Sequence, residues 1–247
     1  MTEKGRYAKI LKVKGGVYLK GLKDQLSMTP FEICLWLFSS AVTVLSYVLS
    51  PEGGLINFLA SFIGVTAILF VAKGRILGQI LSIVFALLYG YVSLKYRYYG
   101  ELITYMGMSL PMAVMSLISW VKNPYKDTAE VTVARVGKRK AAILAVLTTL
   151  VTVAFYFILG ALNTENLAVS TVSVATSFAA ASLTFLRSPY YALWYSLNDV
   201  VLVVLWLLAA FEEPSYIIMV VCFATFLAND LYAFFNWRRM KKRQAEG

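Results

Sequence analysis

The sequence contains no histidine, two cysteines and few charges: 15% of its 247 residues are Asp, Glu, Lys or Arg. A soluble domain of this size carries about 25%. Without histidine, haem held through imidazole, most zinc and copper sites and any His general base are excluded. There is no glycine loop to cradle phosphate, no nucleotide-hydrolysing motif and no lysine inside an apolar span to hold retinal. No enzyme activity and no cofactor is expected, nor is active pumping by this chain alone. Cys34 and Cys222 both fall inside apolar segments, as small packing residues do, and suggest neither a disulfide nor a metal pair. The basic N-terminus is not followed by a short apolar region with a small-residue cleavage site, so no removable signal peptide is expected.

What is present is apolar material, 60% of the chain, gathered into blocks of about 20 residues, the length that crosses about 30 Å of hydrocarbon. This predicts an all-α polytopic membrane protein lying in a lipid bilayer, with eight spans at 31–49, 55–72, 76–95, 101–121, 141–161, 167–186, 189–211 and 215–237. Pro51, Glu52, Gly53 and Gly54 break the first pair; Glu212, Glu213 and Pro214 break the last. The net charge of +10 sits in particular connections rather than along one face, which argues against a nucleic-acid partner. With a cytoplasmic N-terminus, 21 of the 23 Lys and Arg fall on the inner side, and only Lys95 and Arg97 on the outer. Losing one span would invert every later loop, so the bias supports both the count and two cytoplasmic termini.

The connections divide the chain into a basic arm (1–30), an extra transmembrane helix (31–50), a three-helix unit (55–121), a basic inner loop with a linking helix (122–161), a second three-helix unit (167–237) and a basic tail (238–247). Within the arm, Tyr18, Leu19 and Leu22 suit a helix lying on the membrane surface. Each unit ends on a tryptophan followed by basic residues, Trp120 with Lys122 and Trp237 with Arg238, and carries a basic residue before its middle helix, Arg75 or Arg187. Three helices leave the chain on the opposite side from its start, and a single linking helix restores the orientation for a parallel copy. This three-plus-one-plus-three plan belongs to transporters whose site lies near mid-membrane between the halves. Trp120 and Trp237, at the inner boundary, read as interfacial belt residues.

The stretch Trp194-Tyr195-Ser196-Leu197-Asn198-Asp199 stands in the middle of the seventh span. A carboxylate there costs roughly 2.5–3.5 kcal/mol on insertion scales, which points to a polar cavity. Trp194, Asn198 and Val201 share a helix face, setting an indole one turn from an amide that donates and accepts. Span seven also supplies Tyr191. Span eight supplies Thr225, Asn229, Tyr232 and Asn236 on one stripe, with Asp230 beside it; span three supplies Gln79, Ser82 and Tyr89; span four carries Glu101, Tyr105, Met108, Pro111 and Met112. The candidate ligand contacts are Trp194, Asn198, Asn229, Gln79, Tyr191, Tyr232, Asp199 and Tyr89. Each has a plainer alternative. Asn198 and Asn229 can bond between helices, and Asp199 and Asp230 can pair structurally with Arg187, Arg238 or a tyrosine. Indole and phenol faces beside carboxylates suit an aromatic, partly cationic, hydroxyl-bearing solute, since a desolvated cation–π contact reaches about 2 kcal/mol.

Tyr98-Tyr99-Gly100-Glu101, Pro111, Trp120-Val121-Lys122-Asn123, Arg187-Ser188-Pro189-Tyr190-Tyr191, the Trp-x-x-x-Asn pattern of Trp194 and Asn198, and Asn229-Asp230-Leu231-Tyr232 follow in an order and spacing that resembles the PnuC family of nicotinamide riboside transporters. The resemblance implies a SWEET-like fold with an added N-terminal helix, a homo-oligomer (a trimer), and residence in the bacterial inner membrane. It also implies facilitated diffusion of the phosphate-free riboside, trapped afterwards by a cytoplasmic kinase. Trp194 and Asn198 take the family's ligand contacts; Gln79 and Asn229 match less distinctively. Related carriers of thiamine, riboflavin or deoxynucleosides would use the same chemistry. A proton-coupled carrier working through Asp199 or Asp230, and a membrane sensor or channel, are the competing readings.

Overall fold

The computed structural model describes residues 24–49, 54–95, 97, 99–126, 128–164, 166–212, 214 and 217–246. Most of the predicted basic arm, including the surface helix around Tyr18, and the break at Pro51, Glu52 and Gly53 lie outside the described residues. The long helices are α1 (Pro30–Leu49), α2 (Gly54–Ala72), α3 (Ile76–Lys95), α4 (Tyr99–Val121), α5 (Lys138–Ala161), α6 (Leu167–Phe185), α7 (Tyr190–Glu212) and α8 (Ile217–Glu246). Among the described residues seven of these, all but α2, are long and apolar enough to cross a membrane; the described apolar stretch of α2 runs from Phe58 to Ala72. The described residues hold no strand, only the isolated bridges Arg75 to Glu130 and Pro124 to Val131.

Local sequence explains the ends. The Glu32 amide donates to Thr29 Oγ1 and the Thr29 amide to Glu32 Oε2 (2.6 Å), a capping box at the start of α1 with Pro30 in the first turn. Pro111 has no amide to give to the Gly107 carbonyl, and α4 accommodates this with a π-helical turn at Thr104–Ser109. Gly78 lets the first turn of α3 lie against the end of α2: a Cβ there would stand 2.4 Å from the Val71 nitrogen.

The helices close a ring. α2 packs on α3, α3 on α4, α4 on α6, α6 on α7, α7 on α8, and α8 back on α2. Two helices stand outside it. α1 lies against α2 and α8; α5 lies against α6 and the π turn of α4, through Phe155, Leu159, Met108 and Val174. The outer face of α5 exposes Val146, Leu150, Val153 and Phe157, as a lipid-facing helix does.

Two turns on one face of the bundle are built alike. After α2, the amides of Gly74 and Arg75 donate to the Val71 and Phe70 carbonyls at 2.9 and 3.0 Å; after α6, Arg187 and Ser188 donate to Thr184 and Leu183, both at 3.0 Å. Each turn passes through one left-handed residue, Gly74 at φ 64° and Arg187 at φ 56°. Both are Schellman closures. The segment 128–137 lies across them as a strap: the Val131 amide donates to the Gly74 carbonyl and the Ala134 amide to the Arg187 carbonyl, each at 2.9 Å.

The tail and the two tryptophans differ from their sequence readings. α8 continues as helix to Glu246, nine residues past Trp237, so most of the basic tail is an extension of the last span. It clasps the strap: Gln244 bonds both Val131 and Val133, and Arg243 pairs with Glu130. Trp120 and Trp237 are not belt residues. Both are fully buried, their rings 5.5 Å apart, in a core with Val71, Leu183, Tyr191 and Met240. Amphipathic indoles were expected at the lipid boundary, but here each N–H has a carbonyl to bond inside the protein.

Candidate functional site

The mid-span polar residues of α7 are buried on the face turned toward α6 and α8. Asn198 and Asp199 are 7% and 5% exposed, deep inside for groups of this polarity. Asn198 Oδ1 accepts from the Ser173 and Thr176 hydroxyls of α6, both at 2.9 Å. The carboxyl groups of Asp199 and Asp230 lie within hydrogen-bonding reach of each other across the α7–α8 contact. Such a contact needs one proton between them, because an ionised carboxylate only accepts. Asp199 Oδ2 is buried with no donor among the described residues. Tyr195, on the same side of α7, reaches Thr184 of α6 and lies within electrostatic range of Asp199 and Asp230.

Across the ring, α3 and α4 bring their own polar aromatics together. Tyr89 and Tyr105 pack with centroids 4.4 Å apart and planes tilted by 46°, and Phe85 packs on both, edge-on to Tyr105. Glu101 hydrogen-bonds to Tyr89. Tyr105 sits in the π turn set up by Pro111 and lies within electrostatic range of both Glu101 and Tyr195. Acids and phenols therefore run from α3 and α4 to α7 and α8. This arrangement offers hydrogen-bond acceptors and ring faces but no cation, because no lysine or arginine stands in the interior of these spans.

The eight sequence-predicted contacts fall into separate groups. Asn198 and Asp199 belong to the α6–α7–α8 cluster and Tyr89 to the α3–α4 cluster. Trp194 stands one turn before Asn198 at the margin of the buried face and is 38% exposed. Gln79 is 3% exposed and makes no side-chain hydrogen bond among the described residues. Tyr191 is in the tryptophan core, edge-on to Trp237 at 5.0 Å. Asn229 and Tyr232 turn toward α1: Asn229 Nδ2 donates to Ser39 Oγ at 2.8 Å, and the Tyr232 hydroxyl donates to Glu32 Oε1 at 2.7 Å. Glu32 is also paired with Lys73, and both are buried. The stripe on α8 thus holds that helix to α1 and to the end of α2, where Asn236 bonds the Ala72 carbonyl. Tyr195 was missed because it neighbours Trp194 in sequence but points to another face. Ser173 and Thr176 carried no signal beyond being small hydroxyls in an apolar span.

The family model described as nicotinamide mononucleotide transporter matches residues 54–239, from the first residue of α2 into α8. Nicotinamide riboside transporter PnuC of Neisseria mucosa is 24% identical over 223 residues, 88% of this chain and 84% of that protein. Its namesake from Haemophilus influenzae is 28% identical over 218 residues, 87% and 92% of the two chains. The crystal structure of the vitamin B3 transporter PnuC has the same fold, with a TM-score of 0.76 at 22% identity, covering 92% of this chain and 99% of that one.

Proposed function

The chain belongs to the nicotinamide mononucleotide transporter family, and from that premise, which makes it a membrane transporter and not an enzyme, we propose that it carries the phosphate-free riboside into the cell. The observation that carries this choice is the charge of the span interiors. Asp199 and Asp230 are there, with Asp199 Oδ2 unsatisfied, and no lysine or arginine stands in the interior of those spans. A riboside bearing a pyridinium cation and ribose hydroxyls gains from such acceptors. A phosphomonoester would be desolvated opposite carboxylates with nothing to neutralise it. Both named relatives are nicotinamide riboside transporters, in keeping with this reading.

The path runs through the ring, with Trp194 and Asn198 as ligand contacts, Asp199, Tyr89 and Gln79 lining it, and Asn229, Tyr191 and Tyr232 holding the helices around it. We take α2–α4 and α6–α8 as two parallel units that rock to give alternating access, the three-plus-one-plus-three SWEET-like plan with eight spans. The matched turns at Gly74 and Arg187 support it, as do α1 and α5, which flank the two units in corresponding places. The basic strap and tail favour a cytoplasmic location for both termini in a bacterial inner membrane. Facilitated diffusion, trapping by cytoplasmic phosphorylation and a trimeric assembly complete the proposal. The carboxyl pair of Asp199 and Asp230 is the one feature that favours proton coupling instead.

The test is counterflow in proteoliposomes loaded with unlabelled nicotinamide riboside. Labelled riboside should enter and labelled mononucleotide should not; entry of both at similar rates would overturn the choice of substrate. Ion currents without riboside exchange would favour a channel.

A further inference from the structure

Both matched turns carry an arginine, but only one has an acidic neighbourhood. Arg75 lies near Glu130, Glu32 and Asp24 and donates to Ser27 at 3.0 Å. Arg187 forms no ion pair among the described residues. Burial alone pushes its guanidinium below the usual range, with no carboxylate opposing the shift. Its Nε and Nη1 are buried without a hydrogen-bond partner among the described residues, as are those of Arg75, so what sets Arg187 apart is the missing carboxylate.

Arg187 is also strained. It occupies the left-handed position of its turn, where the corresponding turn uses Gly74. Glycine would close that turn at no steric cost. The inside-positive bias demands only that charge stay on this side; it does not demand that guanidinium nitrogens leave water.

Arg187 lines a cavity of about 330 Å³ with Arg135, Lys140, Val136, Ser119 and Phe185. The strap that brings Arg135 there is fixed to the Arg187 backbone by the Ala134 bond. Lys138, Arg139 and Lys140 occupy the first turn of α5, whose N-cap Gly137 has no side chain to offer. Cations there oppose the helix dipole, and an incoming anion would be welcomed by both.

We propose that this cavity is a phosphate-ester site, with Arg187 as its buried donor and Arg135 and Lys140 as its exposed ones. A phosphate ester supplies the missing counter-charge beside the edge of the guanidinium that is not buried. It reaches this face from either of two sources, the headgroup of an anionic lipid or a soluble sugar phosphate. Bound there, it bridges the strap to the α6–α7 turn and ties the connecting loop to the second helical unit.

The test uses the full chain, purified in neutral detergent, with its thermal unfolding midpoint followed by tryptophan fluorescence at fixed ionic strength. Ribose 5-phosphate, plain ribose and added phosphatidylglycerol or phosphatidylcholine are the probes. A saturable rise with ribose 5-phosphate but not ribose marks a soluble ligand; a rise with phosphatidylglycerol but not phosphatidylcholine marks the headgroup. In either case Arg187→Gln and Lys140→Gln should each move half-saturation at least about tenfold, while the exposed Lys122→Gln leaves it unchanged. If Arg187→Gln does not fold, Lys140→Gln and Arg135→Gln, both at exposed positions, carry the comparison. No saturable response to either phosphate probe, or an equal response in the folded variants, would overturn the site.

Discussion

Trp120 and Trp237 pack ring to ring at 5.5 Å, and each gives its indole N–H, at 3.0 Å, to a carbonyl of the opposite group of helices: Trp120 to Thr184 at the end of α6, Trp237 to Val71 at the end of α2. The residues just before them repeat the exchange. Ser119 bonds the Phe185 carbonyl and Asn236 the Ala72 carbonyl, both at 2.9 Å. The last helix of each group is thereby latched to the first helix of the other, next to the turn that closes it.

If the two latches are equivalent, removing either indole N–H should cost about the same. Trp120→Phe and Trp237→Phe each lose one buried hydrogen bond, about 0.5–1.5 kcal/mol, while the carbonyl keeps the turn amide of Arg187 or Gly74. Because the rings touch, the double variant should depart from the sum of the singles. Thermal unfolding of the purified variants in detergent measures this. A large drop for one and none for the other would mean that only one latch matters.

Asn198 and Trp194 should separate in a way their shared motif does not suggest. Asn198→Ala removes the acceptor for two α6 hydroxyls, so it should weaken riboside binding and also lower stability by about 1–3 kcal/mol. Trp194 makes no side-chain hydrogen bond among the described residues and is partly exposed, so Trp194→Ala should lower affinity at least about tenfold with little change in the unfolding midpoint. Calorimetric titration beside thermal unfolding distinguishes them. Unchanged affinity in both variants would move the ligand elsewhere.

Apolar blocks of about 20 residues made the helices legible, because every span must satisfy its own backbone in lipid, and the limits agree to within about three residues except at the tail. The tail was missed because an exposed, basic helix end carries no apolar stripe; it is held by Gln244 and Arg243 against a strap whose course only tertiary contacts decide. The same reason hid the roles of Asn229 and Tyr232. Their spacing gave a common face correctly, but a stripe of polar residues does not announce which neighbour it meets, and here the neighbour is α1. Tyr195 shows the converse: adjacent residues in a helix point about 100° apart, so a motif read along the chain mixes faces.

Glu32 and Lys73 form a buried ion pair between α1 and the end of α2, with Tyr232 donating to the same carboxylate. Breaking one side leaves a buried charge unpaired, at about 3–5 kcal/mol, whereas removing both charges together costs far less. Lys73→Met should therefore be severely destabilised, and Glu32→Gln combined with Lys73→Met should recover much of the loss. A double variant no better than the single would mean that the pair acts as two independent groups.

Asp199 and Asp230 decide whether transport is tied to protons. A direct bond between the two acids requires a proton on one of them, and a carrier that exchanges such a proton with one side at each turn of its cycle would couple uptake to the pH gradient. Asn in place of Asp199 can donate to Asp230 with no proton at all, so the contact survives while its titration is lost. Under facilitated diffusion, Asp199→Asn should keep counterflow within about threefold of the parent, under about 0.7 kcal/mol. The parent protein should then show no accumulation of unmodified riboside when a pH gradient is imposed. Gradient-driven accumulation that disappears in Asp199→Asn, with counterflow retained, would replace uniport with proton-coupled transport and make this pair its coupling site.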